Sequence, residues 1–192
     1  MVTIRHERVG DIAARDALLD RCLGQARTAV TSERLRERRL PAQGLSFVAT
    51  EHSRVVGTVR LWHVATSRGR PALLLGPLAV DLDCRNRGVG AALMERAIAE
   101  ARGQGHREII LVGDAAYYAR FGFSASRTGN LALPGPFEPH RLLGLALTPD
   151  AATVPVGLVR PTGIPAPEFA FAAEAAISHR QSSKRPRLSR AA

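Results

Sequence analysis

Arg85-Asn86-Arg87-Gly88-Val89-Gly90 stands directly before Ala91-Ala92-Leu93-Met94, the opening of a helical pattern. Glycines at a helix start let backbone N–H groups approach a ligand closely, and the positive end of the helix dipole favours an anion there. Arg85 and Arg87 add fixed charge with bidentate phosphate geometry. That chemistry suits a pyrophosphate. Spacing argues against the commoner phosphate loops. A P-loop needs Gly-x-x-x-x-Gly-Lys-Ser/Thr, and the only lysine of this chain is Lys184. A dinucleotide fingerprint needs a third glycine where Leu93 stands, and an acidic residue near Ile110.

The loop must be carried by elements on either side. Leu73-Leu74-Leu75-Gly76-Pro77-Leu78-Ala79-Val80 precedes it, and the expected strand is Pro71–Val80. The helix that follows should stop at Gly103–Gly105, ahead of a second apolar strand, Glu108–Asp114. Next comes Ala115-Ala116-Tyr117-Tyr118-Ala119-Arg120-Phe121-Gly122-Phe123. Upstream, Gly44-Leu45-Ser46-Phe47-Val48-Ala49 and Val55-Val56-Gly57-Thr58-Val59 add two further short motifs.

Arg-x-x-Gly-x-Gly after a strand resembles the acetyl-CoA signature of the GNAT superfamily of N-acetyltransferases, in which a tyrosine lies four residues before a Gly-Phe pair. Tyr118 with Gly122-Phe123 matches that spacing, and the motifs together look like the YhbS-like branch over residues 1–150. The resemblance implies an α/β (α+β) domain whose mixed, mostly antiparallel sheet is flanked by helices. Its splayed central strands would admit a pantetheine arm. It further implies that backbone groups at Leu78 and Val80 bind pantetheine, and that Arg85, Asn86, Arg87, Gly88, Val89 and Gly90 hold the pyrophosphate of acetyl-CoA. Tyr118 would be the general acid. The implied reaction moves an acetyl group directly to a primary amine of a small molecule or peptide, with no metal.

Substrate chemistry sets what such a site must supply. An alkyl amine with a pKa of ~10.4 is protonated at pH 7, and freeing its lone pair costs about 4.6 kcal/mol. A base, a water relay or desolvation must cover that cost. A CoA thiolate, treated like cysteine at ~8.5, is a weaker base than tyrosinate at ~10, so full proton transfer from Tyr118 is uphill by roughly 2 kcal/mol. Hydrogen bonding to developing thiolate charge is therefore as important as transfer. No residue announces itself as the base, and the family varies there. His63 and Asp81 are the candidates, Asp81 being expected as a surface carboxylate beside Asp83.

The remaining elements are read from pattern. Val2–Arg5 should be a strand, and Asp11 should cap a helix to Leu23 with Ile12, Leu19, Cys22 and Leu23 on one face. Ser32 and Glu33 should start an arginine-rich helix ending before Pro41. Leu45–Glu51 and Val55–Val64 should form a hairpin about His52-Ser53-Arg54. Leu131–Leu133 and Leu142–Leu147 are expected as late strands of the same sheet. From Thr148 to Pro167 five of twenty residues are proline, which marks a wrapping arm or linker; Pro167 should then open a short helix through Phe171 and Ile177.

At 192 residues and 45% apolar composition the chain suits one globular domain, residues 1–150, followed by a Pro-rich arm and a basic tail over 151–192. No apolar run approaches the ~20 residues a bilayer span needs, and the N-terminus has no signal-peptide character, so a cytoplasmic enzyme without a membrane partner is expected. Cys22 and Cys84 are too few for a disulfide framework. Of the net charge of +10, the tail from Ala175 supplies +5 through Arg180, Lys184, Arg185, Arg187 and Arg190, and is expected to be disordered. Few aromatic residues accompany that run, which counts against nucleic acid as a partner. A homodimer is compatible with the sequence. Two other readings stay open: an acyl-CoA sensor without a working base, and a nucleic-acid-associated protein using the tail.

Overall fold

Leu73 and Leu74 are chain neighbours that face opposite layers, and this alternation explains why their strand reads as an unbroken apolar run. The computed structural model describes residues 1–66, 69–149 and 155–167. In chain order the elements are β1 (Thr3–His6), α1 (Ile12–Leu23), β2 (Ser46–Glu51), β3 (Arg54–Ala65), β4 (Pro71–Val80), α2 (Val89–Gly103), β5 (Glu108–Val112), α3 (Ala115–Tyr118), β6 (Leu131–Ala132), β7 (Leu142–Ala146), β8 (Gly157–Leu158) and β9 (Arg160–Pro161). The large sheet runs β1-β2-β3-β4-β5-β7, with β9 added along β3. Among the described strands of that sheet, β4 and β5 are the parallel pair; the others are antiparallel.

On one face, Leu93, Met94, Ala97 and Ala101 of α2 pack fully buried against Phe47, Val59, Leu73 and Ile109. On the other, Trp62, Leu74, Ile110 and Leu142 are covered by Leu35, Leu131 and Val159. Leu18 of α1 closes over Val48 and Val55. This is the mixed, mostly antiparallel sheet flanked by helices that the sequence implied. Among the described residues no helix is long and apolar enough to cross a membrane.

Several local expectations change. The buried face of α1 is Arg15, Leu18 and Leu19, while Ile12 and Leu23 are exposed. Arg15 is buried because it pairs with Glu7, which also receives the guanidinium of Arg60. Periodicity could not foresee a charged core position satisfied from another strand. Asp11 precedes α1 without capping it; its carboxylate accepts from Arg8 N–H and from the Arg5 guanidinium. The arginine-rich helix expected after Ser32 is a single 3₁₀ segment, Thr31–Leu35. Its polar groups reach out of the segment, Thr31 to Pro136 O and Arg34 to Pro134 O, instead of supporting a longer helix.

Strand β6 pairs with β8 in a separate two-stranded sheet, and so leaves the main sheet to which sequence had assigned it. Residues 155–167 return across the domain: Val159 is fully buried, and β9 adds to β3 at Val64 and Ala65. The helix expected beyond Pro167 and the basic tail lie outside the described residues.

Candidate active site

The site begins where strand pairing ends. β4 and β5 pair at Leu73–Ile109 and Leu74–Ile110, and β4 then continues to Val80 along β3 alone. The unpaired stretch opens a cavity of about 680 Å³ walled by Leu75, Leu78, Val112, Gly113, Tyr117 and Tyr118. Leu23, Val30, Arg27, Arg36 and Arg141 close it from the helical side. At the far end of β4 lies a second cleft of about 370 Å³, lined by Val80, Arg85, Asn86, Gly88, Gly90 and Arg120 among others. Tyr117 lines both.

The loop is shaped by backbone conformations that only certain residues tolerate. Asn86 has φ +58° and Gly88 φ +77°, the left-handed region that suits asparagine and glycine. Gly88 is the N-cap of α2, and the first helical bond runs from Ala92 N–H to Gly88 O at 3.0 Å. The amides of Val89, Gly90 and Ala91 therefore have no acceptor within the helix and carry the positive dipole end towards the cleft. Gly90 is needed for closeness. A β-carbon there would stand 2.9 Å from the Tyr117 hydroxyl and 3.5 Å from Val80.

The structure divides the two loop arginines. Arg85 lines the cleft, whereas the Arg87 fork is engaged by Glu51, with Nη2 at 2.6 Å and Nη1 at 3.1 Å from the two carboxylate oxygens. That pairing raises the Arg87 pKa and lowers that of Glu51. Arg120, absent from the sequence-derived set, lines the cleft with its guanidinium 4.6 Å from the Tyr117 ring centroid. Its position after Tyr117-Tyr118 was the available signal: one helical turn brings residue i+3 back over residue i.

Tyr118 is held by aromatic packing. Its ring meets Tyr117 edge-on at 4.9 Å and Phe123 at 6.0 Å, and Gly113 gives it room on the strand side. Burial, with the neighbouring Tyr117 adding to it, pushes the Tyr118 hydroxyl up to about 12. It is a neutral hydrogen-bond donor throughout the working pH range. Asp114 caps α3 by accepting from Ala116 N–H at 2.9 Å, and among the described residues it is the only carboxylate on the wall of the cavity between β4 and β5.

Neither candidate base joins Tyr118. Asp81, expected on the surface, is buried, and its carboxylate pairs with Arg21 and Arg54 at 3.4 and 3.7 Å while accepting from Asp83 N–H. His63 packs its ring 5.5 Å from that of His106 and lines a different cavity, beside Glu7 and Arg60. Sequence proximity to the central strand could not separate these locations.

Residues 42–125 match the acetyltransferase (GNAT) domain. The chain is similar in structure to a GNAT family N-acetyltransferase (YhbS) from Escherichia coli, solved in complex with CoA. The TM-score is 0.72 and the identity 29%, over 84% of this chain and 89% of that one. It is also similar to a GNAT family acetyltransferase from Brucella melitensis in complex with acetyl-CoA, with TM-score 0.61 and 27% identity over 84% and 96% of the two chains. At 17% identity and TM-score 0.56, an acetyltransferase of GNAT family from Staphylococcus aureus shares the fold over 77% of this chain and 100% of that one. No curated protein matches.

Proposed function

We propose that this chain, whose residues 42–125 match the acetyltransferase (GNAT) domain, transfers an acetyl group from acetyl-CoA to a primary amine of a small molecule or peptide. The observation that carries the reading is a pair of cavities along β4 that share Tyr117 as a wall. One lies at the α2 N-terminus, the other in the unpaired gap between β4 and β5 where Tyr118 lies. A pyrophosphate at Arg85, Asn86 and the amides of Gly88–Gly90 would leave the pantetheine arm to follow β4 by Val80 and Leu78. The thioester then reaches Tyr118. Complexes with CoA and acetyl-CoA in the two most similar structures named above support the choice of donor.

Transfer is direct: the amine lone pair forms the C–N bond, the C–S bond breaks, and CoA leaves as thiolate. Tyr118 donates a hydrogen bond to that sulfur. With its hydroxyl near 12 and the thiol near ~8.5, full transfer of its proton is uphill by roughly 5 kcal/mol, so the final proton on sulfur comes from water. Arg27, Arg36 and Arg141 disfavour an ammonium ion in the cavity by like-charge repulsion and lower the cost of freeing the amine. The amine's proton leaves to water. Thiol release from acetyl-CoA against a panel of amines, amino acids, polyamines and peptides tests the reading. Saturable release dependent on one acceptor class is expected; binding of acetyl-CoA with no turnover on any amine would instead favour an acyl-CoA sensor.

A further inference from the structure

The cavity between β4 and β5 is strongly unbalanced in charge. Among the described residues, Arg27, Arg36 and Arg141 line it against a single carboxylate, Asp114, which is already occupied as the α3 cap. Arg36 is the informative member. Its side chain is only 9% exposed, and its Nε donates to Glu33 at 2.6 Å. Among the described residues no protein acceptor engages its two terminal nitrogens, and Nη1 lies 3.6 Å from where a β-carbon on Gly76 would stand. The guanidinium thus hangs over the point where β4 parts from β5. Arg27 is tied outward to Asp20 at 2.9 Å, and Arg141 reaches Glu138 at 3.8 Å; none of Glu33, Asp20 and Glu138 lines the cavity. The two terminal nitrogens of Arg36 are open to the cavity's solvent, where an acceptor on a ligand can take the place of water. Its planar fork matches a carboxylate bidentately.

Resting on the acetyltransferase reading, we propose that the acceptor carries a carboxylate within a few bonds of its amine, and that Arg36, helped by Arg141, binds it. The apolar wall of Leu23, Val30, Leu75 and Val112 takes the uncharged remainder of the acceptor. Two sources present this chemistry: a free α-amino acid, and a peptide whose N-terminal residue is aspartate or glutamate.

The test uses matched acceptors with acetyl-CoA: amino acids against their α-amides, and peptides beginning with Asp or Glu against those beginning with Asn or Gln. At least a ten-fold higher kcat/KM for the acid member of one pair is expected, and the pair that shows it identifies the source. Arg36→Gln should erase that preference by raising the acceptor KM, while the KM for acetyl-CoA stays within about two-fold. If Arg36→Gln fails to fold, Arg141→Gln, on the more exposed neighbour, should reduce the preference three-fold or more. Calorimetric titration of CoA-loaded protein with N-acetyl amino acids and their amides gives a second readout that does not need turnover. Equal use or equal binding of acids and amides would overturn the inference and leave the acetyltransferase reading standing. So would an Arg36→Gln loss confined to acetyl-CoA affinity. Absence of acetyl-CoA binding to the wild-type protein would overturn both.

Discussion

The hydroxyl of Tyr117 lies 2.9 Å from the position that a β-carbon would occupy on Gly90. The helix start therefore lies beside the aromatic motif some 27 residues later in the chain. Any side chain at Gly90 must displace Tyr117 or intrude on the anion cleft. Gly90→Glu adds a carboxylate at the positive helix end as well, and we expect acetyl-CoA affinity to fall 30- to 1,000-fold, about 2–4 kcal/mol. Helicity should persist, since glutamate suits a first turn. Calorimetry paired with circular dichroism checks this; equal affinity in two folded proteins would show that the loop does not hold the donor.

Tyr118→Phe keeps the ring that packs on Phe123 and removes the donor hydroxyl. A fall in kcat of about 10- to 1,000-fold with little change in acetyl-CoA affinity is expected, read under conditions where chemistry limits the rate. An unchanged kcat would make Tyr118 a packing residue.

Gly113→Ala tests the same residue from the strand side. A β-carbon at Gly113 would come within 2.2 Å of the Tyr118 ring, so the ring must rotate or the strand must shift. Thermal unfolding should show destabilisation of about 1–3 kcal/mol from overpacking, and kcat should fall more than donor affinity. A variant with wild-type kcat and stability would mean that Tyr118 has free space to move.

Arg85 and Arg87 should behave differently although both belong to the signature. Arg85→Ala removes a cation that faces the cleft, and a 10- to 100-fold loss of CoA affinity is expected from about 1.5–3 kcal/mol per charged hydrogen-bonding group. Arg87→Ala breaks the exposed pair with Glu51 and should change affinity less than about three-fold. Titrations at one fixed salt concentration compare them. Matching losses would show that Arg87 leaves Glu51 for the phosphates.

Asp11 supplies a pH-dependent prediction. Hydrogen bonding to Arg5, reinforced by Arg8 N–H, lowers its carboxyl pKa to about 2 from an ordinary value near 3.8. A carboxyl lowered on folding stabilises the fold above its unfolded pKa, and that contribution is lost as pH falls from about 4 towards 2. Asp11→Asn should cost about 1–2 kcal/mol at pH 7, measured by urea unfolding, and the gap should shrink to a few tenths of a kcal/mol at about pH 2. A gap that persists undiminished at pH 2 would place its origin outside ionisation.

The strands that carry the site were legible because burial on both faces leaves a simple trace. Pro71–Val80 emerges with the bounds that sequence predicts, and the hairpin of β2 and β3 turns at His52 and Ser53, both with positive φ. Segments whose stability comes from distant partners were not legible. Thr31–Leu35 bonds to residues about a hundred positions away, β6 needs β8, and Arg15 is buried by virtue of Glu7. Local pattern contains none of those partners.

The site divides in the same way. Sequence by itself determined the chemistry of the loop, because φ above zero, close backbone approach and an N-terminal dipole are properties of a few adjacent residues. It also determined the Tyr118-to-Gly122 spacing, which is one helical turn closed by a left-handed glycine. Only the tertiary structure decided which charges face the ligand. It turned Arg87 to Glu51, buried Asp81 between Arg21 and Arg54, and brought Arg36 and Arg120 to the cavities. A side chain's charge is written in its residue type, but the direction it faces depends on what packs behind it, and those partners come from the far ends of the chain.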